Sequence, residues 1–102
     1  MKNKIKELFK KLGIRPNVKG YYYLIEAILL IAESEERLTM GDVYQNLAFK
    51  HNDTYSKVER AMRYAIQKNY CQNSEYYMIF KTFDRPTASE FVFTIAEEIK
   101  GE

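Results

Sequence analysis

The run Thr54-Tyr55-Ser56-Lys57-Val58-Glu59-Arg60-Ala61-Met62-Arg63-Tyr64-Ala65-Ile66-Gln67 fits one regular structure, an amphipathic helix. Val58, Ala61, Met62, Ala65 and Ile66 follow the i, i+3, i+4, i+7, i+8 spacing of a stripe buried against a core. At about 100° per residue, Ser56, Arg60, Arg63, Tyr64 and Gln67 gather on the opposite side, with Lys57 and Glu59 flanking them. That exposed set carries the chemistry that reads duplex DNA. Arginine takes a guanine edge bidentately, glutamine pairs with adenine, and glutamate accepts from cytosine. A second helical stripe over 40–49 precedes it, joined by the short polar turn 50–53. Two helices joined in this way form a helix-turn-helix, with residues 54–70 as the helix for the major groove.

The rest of the chain reads as helix as well. Ile5, Leu8, Phe9 and Leu12 make the apolar stripe of a first helix over 3–12, which Gly13 stops. Arg15-Pro16-Asn17 forms a turn. The second helix, 18–33, is apolar nearly all round and belongs at the centre of the fold. Gly20 in its first turn offers either a close packing point or a local hinge. Thr39 with Asp42 is a capping-box variant that starts the third helix at Met40, with Met40, Val43, Tyr44, Leu47 and Ala48 inward. Thr54 is the expected N-cap of the fourth helix, with Ser56 and Glu59 as an alternative cap. A short fifth helix is expected over 74–80, with Tyr77 and Phe80 inward. Thr87 with Glu90 opens the sixth, 88–100, closed by Gly101 and buried through Phe91, Val92, Ile95, Ala96 and Ile99. No segment alternates with period two. The expected fold is all-α: one compact six-helix domain over 1–102 containing a helix-turn-helix, with no sheet.

Charge sharpens the functional reading. The net charge of +2 conceals alternating blocks. Residues 1–20 carry seven bases and one acid, residues 21–48 one base and five acids, residues 49–72 five bases and two acids, and residues 73–102 three bases and six acids. Two basic blocks suit one face turned to a polyanion. The lone Cys71 forms no internal disulfide, and one Cys with one His makes no zinc cluster. Neither a metal nor a cofactor is expected, and the reducing cytoplasm is the default setting. The longest apolar stretch, 21–32, spans twelve residues interrupted by Glu26, too short for a bilayer. No nucleophile–base spacing and no Gly-rich phosphate loop supports an enzyme. His51 reads as an exposed turn histidine and Cys71 as a small, partly buried apolar residue. One of Tyr21, Tyr22 and Tyr23 must lie near the surface, since three consecutive helical residues point three ways.

The order of these segments resembles a known family. Leu12-Gly13-Ile14, Val18-Lys19-Gly20-Tyr21, Tyr23-Leu24 and Glu26-Ala27-Ile28 are similar to the opening of the C-terminal DNA-binding domain of the stage-zero sporulation protein A, a response regulator of spore-forming bacteria. The likeness continues through residues 56–66 and ends at Arg85-Pro86-Thr87-Ala88-Ser89-Glu90-Phe91, close to that family's Lys-Pro-Thr-Asn-Ser-Glu-Phe. The resemblance implies a six-helix domain whose third and fourth helices read DNA. Its base-reading positions fall on Lys57, Glu59, Arg60, Arg63 and Tyr64. The family usually has Arg at the position of Lys57 and His at that of Tyr64. A lysine cannot form the bidentate fork, so base preference there is expected to differ.

In the family a phosphorylated receiver domain precedes this one. Here the chain begins just ahead of the first effector helix: it is either a fragment or a stand-alone effector with no receiver domain, and the divergence from the usual family pattern and the basic leader 2–11 favour the stand-alone reading. The expected function is a sequence-specific, DNA-binding transcription regulator in the cytoplasm. Lys50, Ser56, Gln67 and Lys68 would hold the DNA backbone. The protein would be a monomer that pairs on tandem sites of double-stranded DNA, with RNA polymerase or its sigma factor as a further partner and no membrane. The alternative is a protein-interaction module that docks on a full-length regulator or on RNA polymerase without reading DNA. Glu97 and Glu98 of the last helix would offer its surface.

Overall fold

Local capping chemistry sets the boundaries of the six helices. A computed structural model describes residues 1–16 and 18–101. Within them run α1 (Lys2–Leu12), α2 (Lys19–Glu33), α3 (Met40–Lys50), α4 (Tyr55–Asn69), α5 (Ser74–Phe80) and α6 (Ala88–Lys100), and no strand. Of the turn expected at Arg15-Pro16-Asn17, Asn17 lies outside the described residues. Gly13 closes α1 with a left-handed φ of 84°, which glycine adopts without strain. Both capping boxes are present: the Thr39 side chain accepts from Asp42 N–H and Asp42 from Thr39 N–H, and Thr87 and Glu90 do the same at α6. The N-cap of α4 is Thr54, which accepts from the Lys57 N–H at 3.1 Å. The Ser56 alternative is not used.

The central position of α2 follows from its apolar circumference. It packs against α4, α6, α3 and α1, while α1 also meets α5 and α6. Its Leu24, Ile25, Ala27 and Ile28 share one core with Ile5, Phe9 and Leu12 of α1, Val43 and Leu47 of α3, Val58, Met62, Ala65 and Ile66 of α4, and Phe91, Val92 and Ile95 of α6. Leu8, Met40 and Ala61, expected inward, lie at the margin, packed against this core. A chain of rings ties the far side together. Tyr70 stacks on Tyr76, Tyr76 on Phe80 and Phe80 on Phe91; Phe91 meets Phe9, and Phe9 meets Tyr21, all with centroids 5.0–5.7 Å apart. Each such pair contributes about 0.5–1.5 kcal/mol beyond its burial.

Two sequence expectations change here. In α5 the inward ring is Tyr76, while Tyr77 is exposed and stacks on the exposed Phe83. The Asn73 side chain caps the Tyr76 N–H, and that register points Tyr76 at Tyr70. Cys71 is exposed, because the chain leaves the core just after the α4 C-cap at Tyr70.

Burial of Tyr76 leaves its hydroxyl with no hydrogen-bond partner among the described residues, and the same burial pushes its ionisation well above the usual tyrosine range. An unpartnered buried hydroxyl costs free energy that a phenyl ring does not. Tyr76→Phe is therefore expected to raise unfolding stability, by on the order of 1 kcal/mol. The check is a urea midpoint that moves up at constant m-value. A lower midpoint would mean that the hydroxyl is satisfied.

Candidate nucleic-acid interface

The turn between α3 and α4 is built as a Schellman closure. His51 N–H reaches Leu47 O at 3.0 Å, Asp53 N–H reaches Ala48 O at 2.9 Å, and Asn52 N–H reaches Phe49 O at 3.4 Å. Asn52 takes the left-handed conformation this requires, φ 52°, which asparagine tolerates better than most side chains. Thr54 then starts α4 at once, so the turn fixes where the fourth helix begins.

Three polar residues of α2 hold that turn. Lys19, Tyr23 and Glu26 stand at i, i+4 and i+7, on one face. Asp53 accepts from Tyr23 Oη at 2.7 Å, from Lys19 Nζ at 2.9 Å and from the Thr54 N–H at 2.9 Å. Glu26 accepts from Lys50 Nζ at 2.8 Å and pairs with His51 Nε2. His51, read from sequence as an exposed turn histidine, is thus tied to α2 by its imidazole, and its ring also lies 5.3 Å from that of Tyr23. Burial works against the charged form of Glu26, but the bonds from Lys50 and His51 outweigh it and hold its pKa below the usual value. Sequence reasoning missed this arrangement. The signal was a polar stripe, Lys19-Tyr23-Glu26, on an otherwise apolar helix.

Acid sensitivity follows from Asp53. The bonds from Tyr23, Lys19 and the Thr54 N–H hold its carboxyl far below the usual carboxylate range. A depressed folded-state pKa contributes stability that is complete above the unfolded value of about 3.9. That contribution is lost as pH falls from there through the folded value. Asp53→Asn is therefore expected to be less stable than the parent at neutral pH. The two should converge in strong acid. A stability difference independent of pH would contradict this role.

The exposed arc of α4 is the one its sequence specifies. Ser56, Lys57, Arg60, Arg63, Tyr64, Gln67 and Lys68 are exposed, while Glu59 is half-buried at the edge. Lys57 and Arg60 have no hydrogen bond or ion pair through their side chains among the described residues. Arg63 Nε lies 3.5 Å from Glu59 Oε2, an i,i+4 pair at the surface worth a few tenths of a kcal/mol. Lys68 Nζ sits 5.7 Å from the centroid of the Tyr64 ring. Lys50, although bonded to Glu26, keeps a 61% exposed side chain. The nine residues named from sequence thus fall into two groups. Eight lie on α4, seven of them on one exposed arc with Glu59 at its rim, and Lys50 stands at the end of α3 beside the turn.

The sequence matches the family model described as "Sporulation initiation factor Spo0A C terminal" over residues 5–99. The chain belongs to that family. The match runs from α1 to α6 and so includes the whole helix-turn-helix. The family is that of the sporulation regulator's C-terminal effector domain, a family of DNA-binding regulatory domains. Its all-helical fold fits the α3–turn–α4 geometry described above. Among the described residues no helix is long and apolar enough to cross a membrane.

Proposed function

We propose that this domain is a sequence-specific transcription regulator that inserts α4 into the major groove of double-stranded DNA. The carrying observation is the exposed arc itself. Lys57 and Arg60 are uncompensated, and a single acid, Glu59, pairs with Arg63. Arg60, Arg63 and Glu59 supply base choice, with Lys57 and Tyr64 at its two ends. Lys50, Ser56, Gln67 and Lys68 hold the backbone and set the register. The α2 anchors on Lys50, His51 and Asp53 then have a functional meaning: they fix the angle at which α4 is presented. A lone domain covers a short site, so two copies pair on tandem sites. The setting is the cytoplasm, where the chromosome is.

Salt dependence tests the reading. With about four phosphate contacts, the logarithm of the binding constant should fall against the logarithm of salt with a slope near −3.6. Binding that ignores salt, or none at low salt, would favour the alternative of a module that docks on RNA polymerase or a full-length regulator. That alternative draws on exposed Tyr77 and Met78, since clustered surface apolars mark protein contacts.

A further inference from the structure

We infer that Arg85 is a second DNA-backbone anchor, which takes a phosphodiester on the α6 side of α4. The inference rests on the reading of α4 as the major-groove helix. A helix with its side chains is about 10–12 Å across and the major groove about 12 Å wide. Whatever flanks such a helix on either side therefore meets a phosphate strand. One flank of α4 is taken by the start of α2, where Gly20 lies against Ala61 and Ala65. Lys19, the cation there, is already bonded to Asp53.

The opposite flank carries a cleft of about 450 Å³ between α4 and the start of α6, lined by Glu59, Arg63, Gln67, Arg85, Thr87 and Ser89 among others. Among the described residues its only acid is Glu59, which pairs with Arg63. Arg85 is exposed and has no hydrogen bond or ion pair through its side chain among the described residues. Its chain neighbour Asp84 does not pair with it. The charge of Arg85 is thus uncompensated on a wall facing the DNA-reading helix.

The wall is also rigid. Pro86, directly after Arg85, is buried, which restricts the Arg85 backbone. Thr87 then begins α6 through its capping box with Glu90. That box engages the Thr87 and Glu90 amides, and the anion-binding group inferred here is the guanidinium. A guanidinium suits the task, since its planar fork takes two phosphate oxygens together.

The test uses the whole chain and two labelled duplexes, one enriched from a random-sequence pool and one scrambled, titrated by anisotropy across a salt series. Arg85→Ala is expected to weaken both duplexes by the same factor, about fivefold. It should make the salt slope shallower by about 0.9 and leave the preference ratio and thermal midpoint unchanged. Arg85→Lys should recover the slope and part of the affinity. Wild-type slope and affinity in Arg85→Ala would overturn the inference alone, provided Arg60→Ala still loses preference. A collapsed preference ratio would also overturn it, by making Arg85 a base reader. If Arg85→Ala unfolds, a folded Arg85→Gln decides: both duplexes weakened alike with a salt slope shallower by about 0.9 supports an anchoring charge, and parent slope and affinity overturns it. Failure of the parent to bind either duplex would bring down the reading of α4 and this inference together.

Discussion

Gly20→Val is expected to leave little folded domain, and Gly20→Ala to cost on the order of 3 kcal/mol or more, the upper end for an overpacked core. A Cβ at Gly20 would stand 2.0 Å from the Ala61 carbonyl oxygen, 2.6 Å from its carbon and 2.9 Å from Ala65 Cβ. Two of these atoms are α4 backbone, so no rotamer change relieves the clash. The helices α2 and α4 must separate, and their contact is the most extensive in the fold. Small domains have only about 5–15 kcal/mol to lose. Urea unfolding followed by circular dichroism measures the effect. A Gly20→Ala midpoint within about 1 kcal/mol of the parent would mean that the two helices are not this close. The displaced element is α4, so any folded fraction of the variant should also bind DNA poorly.

Arg60→Ala is expected to cost about 1–3 kcal/mol of affinity for the preferred duplex, between about fivefold and a hundredfold, with the fold intact. Arg60 is at the middle of the exposed arc and has no side-chain partner among the described residues, so none of them competes for its guanidinium. Arg63 must share itself with Glu59 at 3.5 Å. Arg63→Ala is therefore expected to cost no more than Arg60→Ala. Lys57→Ala should weaken preferred and scrambled duplexes more evenly, since an ammonium acts as a point charge. Thermal midpoints separate these effects from folding. If either arginine variant unfolds, its side chain belongs to the structure and not to an open face.

Features that depend on neighbouring residues were legible from sequence. Thr39 with Asp42, Thr54, and Thr87 with Glu90 cap where the side-chain chemistry says they should. The buried stripe of α4 followed from period alone, and its exposed arc came with it. The register of α5 did not. Seven residues make barely two turns, and the choice between Tyr76 and Tyr77 was settled by a cap at Asn73 and a ring from Tyr70. The hinge-or-packing ambiguity at Gly20 was resolved by Ala61, which is far along the chain and adjacent in space. The same holds for the anchoring of the turn. Asp53 meets residues 30 and 34 positions away, and Glu26 meets partners 24 and 25 away. Periodicity reports which face a residue occupies, and not which distant residue it finds there.

The central claim is that α4 reads sequence, and the most direct measurement is the preference ratio of the parent and of Arg60→Ala. Duplexes enriched from a random pool are titrated beside scrambled duplexes at one salt concentration. The parent is expected to prefer the enriched duplex by at least about a thousandfold. Arg60→Ala should lose about fivefold or more of that ratio while binding scrambled DNA nearly as the parent does. A parent that binds both duplexes alike, or an Arg60→Ala variant that keeps the full ratio, would contradict the assignment of α4 as the reading helix.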